Sequence, residues 1–203
     1  MNLKKTCLEK KVYNLNIIYP VILSVPDKHK YFTGRAKVLK LSQYARKALE
    51  ISSEKSGFFI KKLQKDENGV PVPSNGTYWS LTHKTDYVAA VCSLDKTGID
   101  IEKIKSCSRG LFKKTAYDHE WDLAGTDKNY KLFFRYWTAK ESVIKAEGTG
   151  IKDLLKCRII RITDATNLVV HFNNKDWYIE HYYFEGHIAS VVKNLQTVRW
   201  IIK

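Results

Sequence analysis

Two short, well-separated segments do most to limit what this chain can fold into, because each fixes a different backbone period. In Gly98-Ile99-Asp100-Ile101-Glu102 apolar and acidic residues alternate. That is the period of a strand with one face in a core, with Ile99 and Ile101 on one side and Asp100 and Glu102 on the other. Across residues 129–147 the side chains Tyr130, Phe133, Phe134, Trp137 and Ile144 recur at three- and four-residue steps, the spacing of a helix with an apolar stripe. Gly148 and Gly150 follow where such a helix would stop. A chain that carries both patterns belongs to the mixed α and β class.

The remaining pattern extends this reading. Residues 12–25 read as a strand ending near Pro26, and residues 35–50 as a helix with Val38, Leu41, Ala45, Ala48 and Leu49 inward and Arg35, Lys37, Lys40, Arg46 and Lys47 outward. Residues 66–77, with Gly69, Pro71, Pro73, Asn75 and Gly76, are the most loop-like stretch. Strands are expected at 78–82 and 87–93 around a turn at 83–86, a helix at 109–124, alternating strands over 157–172 and 177–192, and one more at 197–202. The order suggests two α+β halves, 1–97 and 98–203, with a seam near 94–98.

The acidic side chains carry the chemistry. Two carboxylates on one strand face repel each other unless a cation lies between them, and oxygen ligands suit Mg²⁺; a solvated strand face is the alternative. Glu141 stands four residues after Trp137 and three before Ile144, on the apolar stripe, where an unpaired carboxylate is costly. Lys145 is one turn on, so a surface Glu–Lys pair is the alternative there. Three acids for a hard cation and lysines for a phosphate are the equipment of a metal-dependent phosphoryl-type transfer. Thr82, His83 and Lys84 at a strand end form a possible phosphate grip; a plain surface turn is the other reading.

Composition sets the partner class. The formal net charge is +14 in 203 residues, which favours a polyanionic partner: nucleic acid, an anionic membrane, an acidic protein or a phosphorylated small molecule. Apolar content of 44%, with five Trp and twelve Tyr, suffices for a packed core. Cys7, Cys92, Cys107 and Cys157 show no zinc spacing and read as free thiols. With no apolar run of spanning length and no signal-peptide pattern, a cytoplasmic protein is expected.

At this point the residues resemble the Sfp-type 4′-phosphopantetheinyl transferases. The family's G-[IV]-D-[IV]-E motif stands as Gly98–Glu102, its W-[ST]-x-K-E-[AS]-x-x-K motif as Trp137–Lys145, and its upstream serine/histidine segment as Ser80-Leu81-Thr82-His83. Glu120 occupies the acidic position between the two main motifs. The match runs over roughly residues 69–150. The usual G-K-P appears as Gly69-Val70-Pro71; the lysine it lacks is one that family members commonly aim at the coenzyme A phosphates, with Lys84 or Lys65 as replacement.

The resemblance implies a pseudo-dimer of two similar α+β lobes with the active site in the cleft between them. It implies transfer of the phosphopantetheine arm of coenzyme A to a serine of an acidic acyl or peptidyl carrier protein, releasing 3′,5′-ADP. It implies Mg²⁺, with Mn²⁺ as a substitute, held by Asp100, Glu102 and Glu141. Glu141, or a water it orients, becomes the base, with Glu120 completing the metal shell or positioning that water. Lys145, supported by Lys140, faces the transferring phosphate. Thr82 and His83 contact the 3′-phosphate or pyrophosphate, and Arg46, Arg35 and Lys37 the 3′-phosphate and adenine end. A monomer without nucleic-acid or membrane partners follows. The competing readings are a catalytically silent relative that binds carrier proteins and a basic nucleic-acid-binding protein.

Overall fold

A computed structural model describes residues 16–27 and 31–203; residues 12–15 of the first expected strand, and Cys7, lie outside them. The elements are β1 (Ile17–Ile18), β2 (Val21–Ser24), α1 (Gly34–Ser56), β3 (Tyr78–His83), β4 (Tyr87–Ser93), β5 (Ile99–Lys103), α2 (Arg109–Thr115), α3 (Asp118–Asp122), α4 (Tyr130–Glu147), a 3₁₀ turn (Ile151–Asp153), β6 (Arg158–Ile162), β7 (Asn167–Phe172), β8 (Lys175–Phe184), β9 (His187–Val192), β10 (Thr197–Val198) and β11 (Ile201–Ile202). The chain is α+β. One sheet runs β11-β2-β4-β3, a second β5-β9-β8-β7-β6, and β1 pairs with β10.

Alternation along the strands builds four layers. On β2 and β4, Val21, Leu23, Val88, Ala90 and Cys92 pack with Leu41, Ala45, Ala48 and Leu49 of α1. Their neighbours Ile22, Ala89 and Val91 turn the other way, onto Ile99 and Ile101 of β5 and Ala189 and Val191 of β9. The far face of the second sheet, including Ile188, Val192, Leu168, Val170 and Ile179, packs with Phe133, Tyr136, Val143 and Ile144 of α4. The order is therefore helix, sheet, sheet, helix, with Ile99 and Ile101 between the sheets, where their alternation puts them.

Three expectations change. The helix at 109–124 breaks at Ala116, whose φ of −153° is extended, and the Glu120 carboxylate bonds back to the Tyr117 N–H. The strand at 197–202 splits: β10 pairs with β1 in a two-stranded sheet and β11 pairs with β2, both parallel, so β11 joins the four-stranded sheet of the first half. Val38 is exposed, because the buried stripe of α1 begins only at Leu41.

Gly98 is required by packing. A Cβ there would run into Ser142 O and stand 2.8 Å from Ala146 N, both backbone atoms of α4. The glycine lets the start of β5 lie directly on that helix. Cys92, Cys107 and Cys157 are free thiols, and among the described residues no helix is long and apolar enough to cross a membrane.

Candidate active site

Helix α4 presents Asn129 as its N-cap, whose side chain accepts from Leu132 N, and ends at Gly148 with φ +79°. It is buried on most sides. The polar residues inside are matched: the Thr138 and Ser190 hydroxyls lie 2.6 Å apart, and Ser142 donates to Ala139 O. Its partly open stripe is Trp137, Glu141 and Lys145, one turn apart each. So the row that carries Glu141 faces a cleft, with the apolar packing on the other sides.

That cleft has two adjoining parts. One, of about 350 Å³, is lined by Ser42, Lys65, Leu81, Thr82, His83, Lys84, Asp100, Glu102, Trp137, Glu141 and Lys145. The other, of about 700 Å³, lies between the 65–71 loop and the 148–153 turn and shares Lys65, Leu81, Glu141 and Lys145. Gly148 sits against Val70, whose Cγ1 would be 2.7 Å from an added Cβ, which brings the loop and the helix end together.

Asp100, 4% exposed, accepts at Oδ1 from Lys145 Nζ at 2.7 Å and from the Thr82 hydroxyl at 3.1 Å. Its Oδ2 is buried without a partner. Lys145 Nζ also donates to Ile99 O. Glu102 Oε1 lies 2.7 Å from Lys84 Nζ. Burial pushes the Glu102 carboxyl up, with the nearby Asp100 charge adding and Lys84 opposing. Burial, then the Asp100 charge, also raises Glu141, against Lys145. His83 is held below its usual range by burial, then by Lys145 and Lys84, and is therefore neutral at physiological pH. Ser80, at the head of the serine/histidine segment, accepts from Ile99 N and ties β3 to β5.

Among the described residues no three His, Cys, Asp or Glu side chains converge as a ready metal-ligand group. The expected three-acid site is instead held open by lysines, since Lys145 and Lys84 each draw one carboxylate. The donor set still fits a hard cation: all ligand atoms are oxygen, the three acids line one cavity, and one Asp100 oxygen is buried and unserved.

Glu120 and Lys140 are elsewhere. Both are 0% exposed and pair at 2.8 Å. Glu120 also accepts from Tyr117 N and Ile159 N, and Lys140 donates to Thr115 O. Burial pulls the Lys140 ammonium down, and Glu120 counters it. The pair is an internal clasp joining α2, α3, α4 and β6, outside the cleft; the catalytic and substrate-contact roles expected for these two are corrected. Thr82 does line the cleft, where its hydroxyl donates to Asp100. Arg35, Lys37 and Arg46 do not line the cleft; Arg46 is one turn after Ser42 on α1 and Arg35 two turns before it. Sequence reasoning passed over Ser42, Thr149 and Lys152, also in the lining, and no local pattern marks them.

A family model described as the 4′-phosphopantetheinyl transferase superfamily matches residues 96–194. Over that stretch, just under half of its length, the chain is similar to that superfamily. It is 31% identical over 111 residues to the 4′-phosphopantetheinyl transferase HetI of Nostoc sp. (strain PCC 7120), covering 48% of this chain and 46% of HetI. To the 4′-phosphopantetheinyl transferase gsp of Aneurinibacillus migulanus it is 26% identical over 174 residues, 83% of this chain and 70% of gsp. To the 4′-phosphopantetheinyl transferase Sfp of Bacillus subtilis it is 35% identical over 80 residues, 36% of this chain and 34% of Sfp. The matched stretch thus spans under half of HetI and about a third of Sfp. The superfamily match includes Asp100, Glu102, Glu141 and Lys145.

Proposed function

We propose that the chain moves the phosphopantetheine arm of coenzyme A onto a serine of an acyl or peptidyl carrier protein and releases 3′,5′-ADP. The observation that carries this reading is the cavity in which Asp100, Glu102 and Glu141 face Lys65, Lys84 and Lys145, in a chain similar to this superfamily. Acids alone would repel a pyrophosphate, and lysines alone would bind it without activating an acceptor.

Asp100, Glu102 and Glu141 would hold Mg²⁺ or Mn²⁺, which supplies charge neutralisation at the pyrophosphate oxygens. Glu141 has no ion pair among the described residues and lines both parts of the cleft, a position from which it takes the proton of the serine hydroxyl, directly or through water. The serine oxygen forms a bond to the phosphorus of the arm as the bond to the ADP oxygen breaks. Lys145 and Lys84 stabilise the negative charge that gathers on the leaving phosphate. Neutral His83 offers a ring N–H to a phosphate oxygen, and Arg46, Arg35 and Lys37 supply positive charge beyond Ser42 toward the nucleotide end. The two halves of the chain act as lobes around this cleft. The +14 charge steers both coenzyme A and an acidic carrier toward it.

The test is intact mass spectrometry of apo acyl and peptidyl carrier proteins incubated with this protein, coenzyme A and Mg²⁺, with an EDTA control. A gain of one phosphopantetheine unit, abolished by EDTA, is expected. No gain on any carrier, with no binding of coenzyme A, would remove the reading.

A further inference from the structure

The three carboxylates of the cleft line one cavity without converging on a common point, and lysines hold two of them. Asp100 is almost wholly buried, and a buried carboxylate is tolerated only when it is compensated. Its compensation is one-sided: Lys145 and Thr82 share Oδ1, and Oδ2 has nothing. Among the described residues Glu102 is paired through Oε1 with Lys84 only. The side chains of Lys145 and Lys84 are 29% and 39% exposed, so each ammonium can leave its carboxylate for solvent without rearranging the core.

The charge count gives this a direction. Three carboxylates and three lysines line the smaller cavity, which is formally neutral as it stands. A divalent cation on the acids leaves the same six side chains with a formal surplus of two positive charges. An anionic substrate is attracted to the second state and not to the first.

We propose that Lys145 and Lys84 are the counterions of the metal-ligating carboxylates in the metal-free protein, so that a divalent cation enters first, displaces both ammonium groups, and frees them to receive the anionic substrate. The inference rests on the transferase reading, in which these acids take the metal. It assigns the two lysines consecutive duties: they keep an acidic cluster folded, and then they bind phosphate. It also makes binding ordered, cation before coenzyme A, because the phosphate-binding charges are occupied until the cation arrives.

Lys65 provides the control. It lines the same cavity but makes no ion pair among the described residues, so Lys65→Met removes a positive charge without releasing a carboxylate. The measurement is Mn²⁺ binding to the full chain, followed by the electron paramagnetic resonance signal of free Mn²⁺, with no coenzyme A or carrier present. Lys145→Met is expected to bind Mn²⁺ about tenfold more tightly than the unmodified protein, the worth of one charge-assisted hydrogen bond. Lys65→Met should gain less than about threefold, the smaller effect of an exposed charge. In EDTA, Lys145→Met should melt below the unmodified protein, with Mn²⁺ restoring the difference. Should that variant not fold, Lys84→Met, which frees the more exposed Glu102, is read the same way.

Unchanged or weaker Mn²⁺ binding, or equal gains in Lys145→Met and Lys65→Met, overturns the proposal. If carriers still gain mass in an EDTA-sensitive way, only the lysine exchange falls and the transferase reading stands. If the unmodified chain takes up no Mn²⁺ and no carrier gains mass, both fall together.

Discussion

Lys140→Met separates a structural clasp from a catalytic group. The substitution keeps the length of the side chain and deletes its charge. Glu120 then remains fully buried with its counterion gone, and Thr115 O loses its donor. Removing one partner of a buried ion pair costs about 3–5 kcal/mol. Glu120 retains two backbone N–H donors, from Tyr117 and Ile159, which places the cost toward the lower end, about 3 kcal/mol. That is a large share of the ~5–15 kcal/mol that holds a typical domain together. For a chain of this size it lowers the melting temperature by about 6–12 °C. Urea and thermal unfolding followed by tryptophan fluorescence would read it, because Trp121 stacks on Tyr136 within this cluster. The double variant with Glu120→Gln should recover part of the loss, since a neutral amide needs no counterion. Below its new melting temperature Lys140→Met should transfer phosphopantetheine within a few-fold of the unmodified rate. A loss of stability under about 1 kcal/mol, with turnover down a hundredfold, would refute the assignment and return Lys140 to the chemistry.

Gly98→Ala should cost about 3 kcal/mol, because its Cβ meets rigid backbone of α4 and nothing there can yield; a melting temperature equal to the parent's would contradict that close approach. Asp100→Asn keeps the bond from Thr82 and removes the charge, and transfer should fall by about a hundredfold, whereas normal turnover in the mass assay would take Asp100 out of the site. Glu141 and Glu102 have carboxyl pKa values raised in the folded chain, so folding favours their protonated forms. Their contribution to stability is therefore lost as pH rises from the ordinary carboxylate range through the raised values. Glu141→Gln should raise the melting temperature by about 2 °C at neutral pH and leave it unchanged below about pH 4; a lower melting temperature at neutral pH would show the carboxylate to be stabilising.

Much of the site was legible because its signals are local. Alternation over 98–102 placed Ile99 and Ile101 between the sheets, and the step from Glu141 to Lys145 placed both on one side of α4. The helix itself was read with bounds close to the observed Tyr130–Glu147. Glu120 and Lys140 were read wrongly for a physical reason. A buried ion pair and a catalytic pair use the same residue types, and the environment that distinguishes them is assembled from α2, α3, α4 and β6 together. Asp100, the partner of the Thr82 hydroxyl, could be named only once β3 and β5 were adjacent. The destination of residues 197–202 was hidden because two-residue strands carry too little pattern to specify a partner.

The sequence by itself determined the class of fold, the faces of β5 and α4, and the motifs that resemble the transferases, since each is written in spacing along a few adjacent residues. The tertiary structure alone decided which acids share a cavity, which lysine answers each of them, and which pair is sealed inside. Those are matters of burial and distance between segments far apart in sequence, and the strength of a charge depends on what the folded chain sets beside it.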